Sequence, residues 1–271
     1  MLTRAGVVGD PAAHSLSPAI HRAGYEAHGL SWDYQAYTVA PESLADFVQS
    51  CAADETWAGL SVTAPHKEAV LAFGEADEPT RLLGAGNTLV FGDAPRVYNT
   101  DVPGFVRAWR AHVPNSPSAA AIVGNGATAR SITLALAGLG TAELIVLARR
   151  PERAKSLADL AATLGMSVDV RVLGEPLEPV DLVANTIPAH ATTAAAPALA
   201  EAARVVFDVV YDPWPTPLGE AAERAGRQSL SGMDLLAGQA VDQFFLLTGK
   251  HITFEQARSA AGRELRRRSA V

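Results

Sequence analysis

The chain contains one cysteine, Cys51, in 271 residues. A lone thiol builds neither a disulfide framework nor a thiolate metal cluster. Positive charge is also short. The formal net charge is −7, which argues against nucleic acid or an anionic membrane as the main partner. No apolar run approaches the roughly 20 residues that a membrane span requires. The opening stretch, Met1-Leu2-Thr3-Arg4-Ala5-Gly6, leads into a strand without the pattern of a signal peptide. Seven histidines invite a metal reading, and His14, His21 and His28 recur every seven residues. No His-x-x-x-His pair or acidic cluster completes a ligand set, so no metal is expected. These absences predict a cytoplasmic protein that binds neither nucleic acid nor membrane, with monomer and homodimer both open.

What is present is an ordinary globular composition, 48% apolar and 19% charged, in a chain long enough for one large domain or two. Ala5–Gly9 reads as a strand, Ser17 as the N-cap and Pro18 as the first residue of a helix that Gly29 stops. Trp32–Val39 reads as a strand, Pro41–Cys51 as a helix, and a helix is expected near Ala69–Ala72. Strands alternating with helices at this spacing predict βαβ units and a largely parallel sheet. The Pro/Ser/Asn stretch Val113–Ser118 reads as a linker near a domain boundary. The Ala-rich 191–203 reads as helical, as does Gly232–Gly249, with Met233, Leu236, Ala240, Phe244 and Leu247 along one face. The Arg-rich end, Arg263 to Arg268, fits the last turns of a final helix.

Two stretches carry chemistry. The first is Gly59-Leu60-Ser61-Val62-Thr63-Ala64-Pro65-His66-Lys67: a short buried strand, then a Pro that starts a helix, then a lysine. It sets Ser61, Thr63 and Lys67 at a strand-to-helix corner, a usual place for substrate groups. The plain alternative is that Thr63 caps a helix and Lys67 is a solvated surface lysine. His66 reads as structural. Short polar groups collect at other strand ends, among them Ser15, Ser17, Asn87 and Asp101, and would suit a small polyhydroxylated molecule. The plain alternative for Asp101 is that it caps the helix containing Phe105 and Trp109. Gln239, on an apolar helix face, stands out because a buried amide needs partners.

The second stretch is the strand Ala119–Val123 followed by Gly124-Asn125-Gly126-Ala127-Thr128-Ala129, an apolar helix and the strand Leu144–Leu147. This is the layout of a dinucleotide-binding unit. Gly124 permits the tight turn, Gly126 lets the backbone approach a pyrophosphate, and Ala129 lets the helix pack closely. Backbone N–H groups at Ala127 and beyond would face the phosphates, and Asn125 and Thr128 would add hydrogen bonds; the plain alternative is an ordinary strand-to-helix turn. After the second strand come Ala148-Arg149-Arg150-Pro151-Glu152-Arg153. No acid occupies the strand end, and Arg149, Arg150 and Arg153 favour the 2′-phosphate of NADP over the ribose hydroxyl of NAD; the plain alternative is that these arginines are a solvated helix start.

Taken in order, the motifs His14-Ser15-x-Ser17-Pro18-x-x-His21, Val62-Thr63-x-Pro65-x-Lys67, Gly84-Ala85-x-Asn87-Thr88, Asn99-Thr100-Asp101-x-x-Gly104, Asp208-Val209-Val210-Tyr211-x-Pro213 with Thr216-Pro217-Leu218, and Gly232 through Gln239-Ala240 resemble the shikimate dehydrogenase family over essentially the whole chain. The resemblance implies an α/β protein of two domains. Residues 1–103 and 232–271 would form an α/β substrate domain to which the C-terminal helices return, and 104–231 a Rossmann-type NADP-binding domain. It implies reversible reduction of 3-dehydroshikimate to shikimate, with Lys67 and Asp101 as the catalytic pair. Ser15, Ser17, Thr63, Asn87, Asp101, Tyr211 and Gln239 would face the small-molecule substrate, and Gly232 the cofactor side. The family usually carries Asn in place of Ser61, and Asn-Arg-Thr in place of Ala148-Arg149-Arg150. A free lysine titrates at roughly 10.4, which burial lowers and a neighbouring carboxylate raises. The alternatives are a dehydrogenase acting also on quinate and a non-catalytic sensor of the same ligands.

Overall fold

The structure, a computed structural model, describes residues 2–270; Met1 and Val271, at the ends of the expected domain ranges, lie outside the described residues. The chain divides into two compact units. One comprises the chain up to Gly104 together with the chain from Leu236 onward, and the other is Phe105–Leu235.

The first unit begins with β1 (Thr3–Gly9), α1 (Ser17–Ala27), β2 (Trp32–Thr38), α2 (Leu44–Ala52) and β3 (Trp57–Val62). Then come β4 (Glu75–Ala76), α3 (Glu78–Leu83), β5 (Thr88–Val90), β6 (Arg96–Tyr98) and the start of α4 (Asp101–His112). Its sheet runs β2-β1-β3-β5-β6-β4. The β1–β2, β1–β3 and β4–β6 pairs are parallel, while β5 is antiparallel to both β3 and β6. Val8, Leu60, Val62, Leu89 and Val97 pack with Val48 of α2 as a core, so alternate side chains of β3 leave its C-terminal end fixed.

The second unit contains β7 (Ala119–Val123), α5 (Ala127–Leu139), β8 (Glu143–Ala148), α6 (Lys155–Thr163) and β9 (Ser167–Val172). It continues through β10 (Val180–Asn185), α7 (Ala196–Ala202), β11 (Ala203–Asp208), α8 (Pro217–Arg224) and β12 (Gln228–Ser231). All its strands pair in parallel in the order β12-β11-β10-β7-β8-β9. In order of appearance this is 3-2-1-4-5-6 read from β9, the doubly wound arrangement whose switch point lies beside the first strand. Helix α9 (Gly232–Thr248) then carries the chain back to the first unit, which ends with α10 (Phe254–Ser269).

Several local expectations need correction. Pro65 does not open a helix: the carbonyls a helix would use are taken from outside, Ala64 O by Asp10 N and Lys67 O by Gly86 N. The expected helix near Ala69 is a 3₁₀ turn, Ala69–Phe73. Ser17 is already helical rather than the N-cap, and Ser15 Oγ accepts from Ser17 N at 3.2 Å in its place. The stretch Val113–Ser118 separates no units. Trp109 and Val113 are buried and Trp109 Nε1 donates to Asn115 O at 2.9 Å, which ties the stretch into the second unit. Within the Ala-rich tract, helix is confined to Ala196–Ala202 and a 3₁₀ turn at Ala189–Thr192, because Ala203 enters β11.

Candidate active site

In the first unit four of the expected site residues meet at one corner. Lys67 Nζ donates to Asp101 Oδ2 at 2.5 Å, with 15% of the lysine side chain and 5% of the aspartate exposed. Asn87 Nδ2 donates to Asp101 Oδ1 at 2.9 Å and to Thr100 Oγ1 at 3.0 Å, and it lies 3.4 Å from Gln239 Oε1. Asn87 Oδ1 accepts from Thr100 N at 2.8 Å. Each carboxylate oxygen of Asp101 therefore has its own donor. The Lys67 ammonium has three N–H donors, and among the described residues its one side-chain partner is Asp101.

The backbone explains why the corner forms. Lys67 leaves β3 on the turn that Gly86 N and Asp10 N clamp. Asn87 precedes β5, and Asp101 opens α4, where Asn99 Oδ1 accepts from Asp101 N at 3.1 Å. Gln239 is brought in by backbone contact between helices. A Cβ on Gly104 would lie 2.6 Å from Gln239 N, and one on Gly238 would lie 2.3 Å from Gly104 O. Only side chains of one hydrogen let α4 and α9 approach this closely.

Ser15, Ser17 and Thr63 share this unit, but among the described residues no side-chain hydrogen bond links them to the cluster. The loop carrying Ser15 is held from the far end of the chain. Arg268 donates to His14 O at 2.9 Å and Ser15 O at 3.2 Å while its Nε bonds Glu264 at 2.8 Å. Arg267 and Arg268 hold the Glu264 carboxyl down to about 2. Ser61 does not face a ligand: it is 1% exposed and bonded to Tyr34 and Gln243. His66 is buried with its Nε2 2.7 Å from Val39 O. Among the described residues no group of three His, Cys, Asp or Glu side chains is arranged to hold a metal, and no helix is long and apolar enough to cross a membrane.

The second unit carries the glycine turn at the C-terminal end of β7. Gly124 sits at φ +105°, and a Cβ there would strike Thr186 and Ile187. At Gly126 a Cβ would meet nothing within 4 Å, so the bare backbone faces open space. Helix α5 starts at Ala127 with no side-chain cap, and Ala129 is fully buried against the sheet. Asn125 Nδ2 donates to Arg153 O at 2.5 Å, tying the glycine turn to the arginine segment after β8. Arg149, Arg150 and Arg153 are exposed, and among the described residues none of their guanidinium groups forms an ion pair or hydrogen bond. An uncapped helix start, open space beside the Gly126 backbone and unpaired guanidinium groups fit a phosphorylated dinucleotide.

Tyr211 lies half-buried on the loop after β11. That loop is shaped by Asp208, which accepts from Asn185 Nδ2 at 2.9 Å, Val210 N at 3.1 Å and Thr216 Oγ1 at 2.7 Å. Burial pushes the Asp208 carboxyl up, against the pull of those three donors. Gly232 closes the loop: a Cβ there would lie 1.9 Å from Val209 O, a packing reason for glycine that is independent of any cofactor.

Sequence reasoning did not single out Thr100, Gln243 or Arg268, which hydrogen-bond to these stretches. Gln243 carries the same signal that singled out Gln239, an amide on an apolar helix face one turn further along.

Comparison with known proteins assigns these two units a lineage. The family model described as shikimate dehydrogenase substrate binding domain matches residues 7–89. The NADP(+) shikimate dehydrogenase of Methanothermobacter thermautotrophicus is 35% identical over 274 residues, covering 97% of this chain and 96% of that protein. Among solved structures, the shikimate dehydrogenase of Mycobacterium tuberculosis superposes with a TM-score of 0.88 at 35% identity over 97% of this chain and 99% of that one. The shikimate 5-dehydrogenase of Thermus thermophilus, in complex with NADP(H) and shikimate, gives 0.83 at 29% identity over 96% and 99%. With a relative this similar along nearly its whole length, the chain belongs to the shikimate dehydrogenase family.

Proposed function

We propose that the protein is an NADP-dependent shikimate dehydrogenase, the oxidoreductase that interconverts 3-dehydroshikimate and shikimate in aromatic amino-acid biosynthesis. The observation that carries this reading is the lysine ammonium seated on a buried carboxylate, Lys67 on Asp101, at a corner lined by Asn87 and Gln239. When bound, the nicotinamide supplies or accepts the hydride at the substrate carbon. The protein's own task is the proton on the oxygen of that carbon. In the reducing direction Lys67 Nζ donates it as the carbonyl becomes an alcohol, and in the oxidising direction the neutral amine takes it back. Asp101 orients the ammonium, and Asn87 orients Asp101.

Ser15, Ser17, Thr63, Asn87, Gln239 and Tyr211 are assigned to the substrate's hydroxyl and carboxylate groups. Gly124, Asn125, Gly126, Ala127 and Thr128 are assigned to the pyrophosphate, Arg149, Arg150 and Arg153 to the 2′-phosphate, and Gly232 to the nicotinamide side. The residues up to about 103 and from about 232 then make a substrate domain, and those between a cofactor domain. A cytoplasmic setting is part of the proposal, supported by a lone, buried Cys51 that needs no oxidising compartment.

The test is a spectrophotometric assay crossing shikimate and quinate with NADP and NAD. Reduced nicotinamide should form fastest with shikimate and NADP. Turnover with quinate alone would reassign the substrate, and ligand binding without turnover would make the chain a sensor.

A further inference from the structure

Behind the Lys67–Asp101 corner lies a second buried polar layer that touches no reacting atom. Gln243, on α9 one turn beyond Gln239, is 2% exposed. Its Nε2 donates to the main-chain oxygen of Asn87 at 3.0 Å, and its Oε1 accepts from Ser61 Oγ at 3.0 Å. Ser61 Oγ in turn accepts from the Tyr34 hydroxyl at 2.6 Å. Tyr34 is fully buried and stacks on His21 with ring centres 4.1 Å apart. A continuous line of hydrogen bonds thus runs from Tyr34 through Ser61, Gln243 and Asn87 to Asp101 and Lys67.

Apart from the buried His21 ring, on which the amide exerts a weak upward pull, the surroundings give packing no reason to prefer an amide at this position. Its helix neighbours Ala240, Phe244 and Leu247 are buried and apolar, and a buried amide is costly unless both its ends are paired. Here each end is paired with a different segment. The acceptor end takes Ser61 of β3, and the donor end takes Asn87 at the residue before β5. The antiparallel β3–β5 ladder starts at this place, with Ser61 opposite Thr88, and Val62 N also donates to Asn87 O at 2.7 Å. The amide therefore clamps the backbone of Asn87 at the point where its side chain turns to hold Asp101 Oδ1 at 2.9 Å.

We infer that Gln243 is a positioning residue for the reaction, acting through Asn87 to set the Asp101 carboxylate under the Lys67 ammonium. The inference rests on the reading of this corner as the active site. A small slackening of Asn87 misplaces the carboxylate, and displacements of that kind are costly to turnover even when made away from the reacting atoms.

The test compares Gln243→Met, which keeps the size and loses both hydrogen bonds, with Tyr34→Phe, which removes a buried hydrogen bond of the same layer but leaves the Gln243–Asn87 bond. Two readouts are taken on the intact chain: kcat with saturating shikimate and NADP, and the lysine Cε resonances, which are simple because the chain has three lysines, Lys67, Lys155 and Lys250. Gln243→Met should lower kcat about tenfold and move the Lys67 resonance, while Tyr34→Phe should stay within about twofold with the resonance in place. If Gln243→Met folds poorly, Gln243→Glu keeps an acceptor for Ser61, loses the donor to Asn87, and should behave like the methionine variant. Equal thermal destabilisation of both variants with kcat and the Lys67 resonance unmoved would overturn the inference. The resonance is read without substrate, so an inactive parent would sink the proposed activity while leaving the resonance to decide this point.

Discussion

Around Lys67 in the first unit the polar groups are spent on one another, whereas the helix start at Gly126 and the arginines after β8 in the second are left open. Around Lys67 every oxygen of Asp101 and both ends of the Asn87 amide already have protein partners. Around Gly126 the helix start has no side-chain cap, the space is empty of neighbours, and Arg149, Arg150 and Arg153 stand exposed. The difference fits the two tasks proposed for these regions. Proton transfer needs a lysine held in register before the substrate arrives, and buried paired groups give that rigidity. A large anionic cofactor is met by charge and by bare backbone, which cost little to leave solvated.

The strongest way to break this contrast is at the spent corner. Lys67→Ala should lower kcat on the order of a hundredfold or more with little change in substrate binding; near-normal kcat in steady-state assays would remove Lys67 from the chemistry. At the open site, replacing Arg149 and Arg150 together by Ser should raise the KM for NADP about tenfold or more and leave that for NAD almost unmoved. Equal losses with the two cofactors would mean that the arginines do not read the 2′-phosphate.

Glycine substitutions sharpen the same contrast through stability. Gly104→Ala, forced against Gln239 N, should cost about 1–3 kcal/mol in denaturant unfolding. Gly126→Ala has ordinary φ and open space, so its unfolding midpoint should not change while cofactor affinity falls. The smallest effect concerns pH. Burial lowers His21 from 6.5 to about 3, against a weaker upward pull from the Gln243 amide, and neither ring nitrogen makes a well-formed hydrogen bond. The titratable groups around it are the rings of Tyr25 and Tyr34. Below 6.5 the unfolded chain takes up a proton that the folded one refuses, so stability is present above that pH and is lost as pH falls toward 3. Thermal melts of His21→Phe should show a shallower loss over that window than the parent. Identical slopes would remove His21 as the cause.

Much of this was readable from residues alone, and for identifiable reasons. The second unit announces itself because its signals are local: an apolar strand, Gly124 and Gly126 at fixed spacing, an apolar helix, and arginines after the next strand. Each follows from the backbone conformation or charge of a short segment. The polar strand ends of the first unit were equally visible as types, which made Lys67, Asn87 and Asp101 candidates before any geometry. Gln239 betrayed itself as an amide among apolar neighbours, and Gln243 carried the same mark unread.

Contacts between distant segments decided the rest. Pro65 looks like a helix start in its own sequence, yet Asp10 and Gly86 take the nearby carbonyls and hold the segment in a turn. Ser61 looks like part of a ligand set until Tyr34 and Gln243 claim its hydroxyl. The run Val113–Ser118 has the composition of a linker, but burial of Trp109 and Val113 binds it to the second unit. The sequence by itself singled out the residue types proposed for the two classes of chemistry, because periodicity, turn residues and charge are properties of short stretches. Which of those residues meet, and which are turned inward as scaffold, was decided by the tertiary structure, because a hydrogen bond between Asn87 and Gln243 depends on how a strand and a helix 156 residues apart are packed.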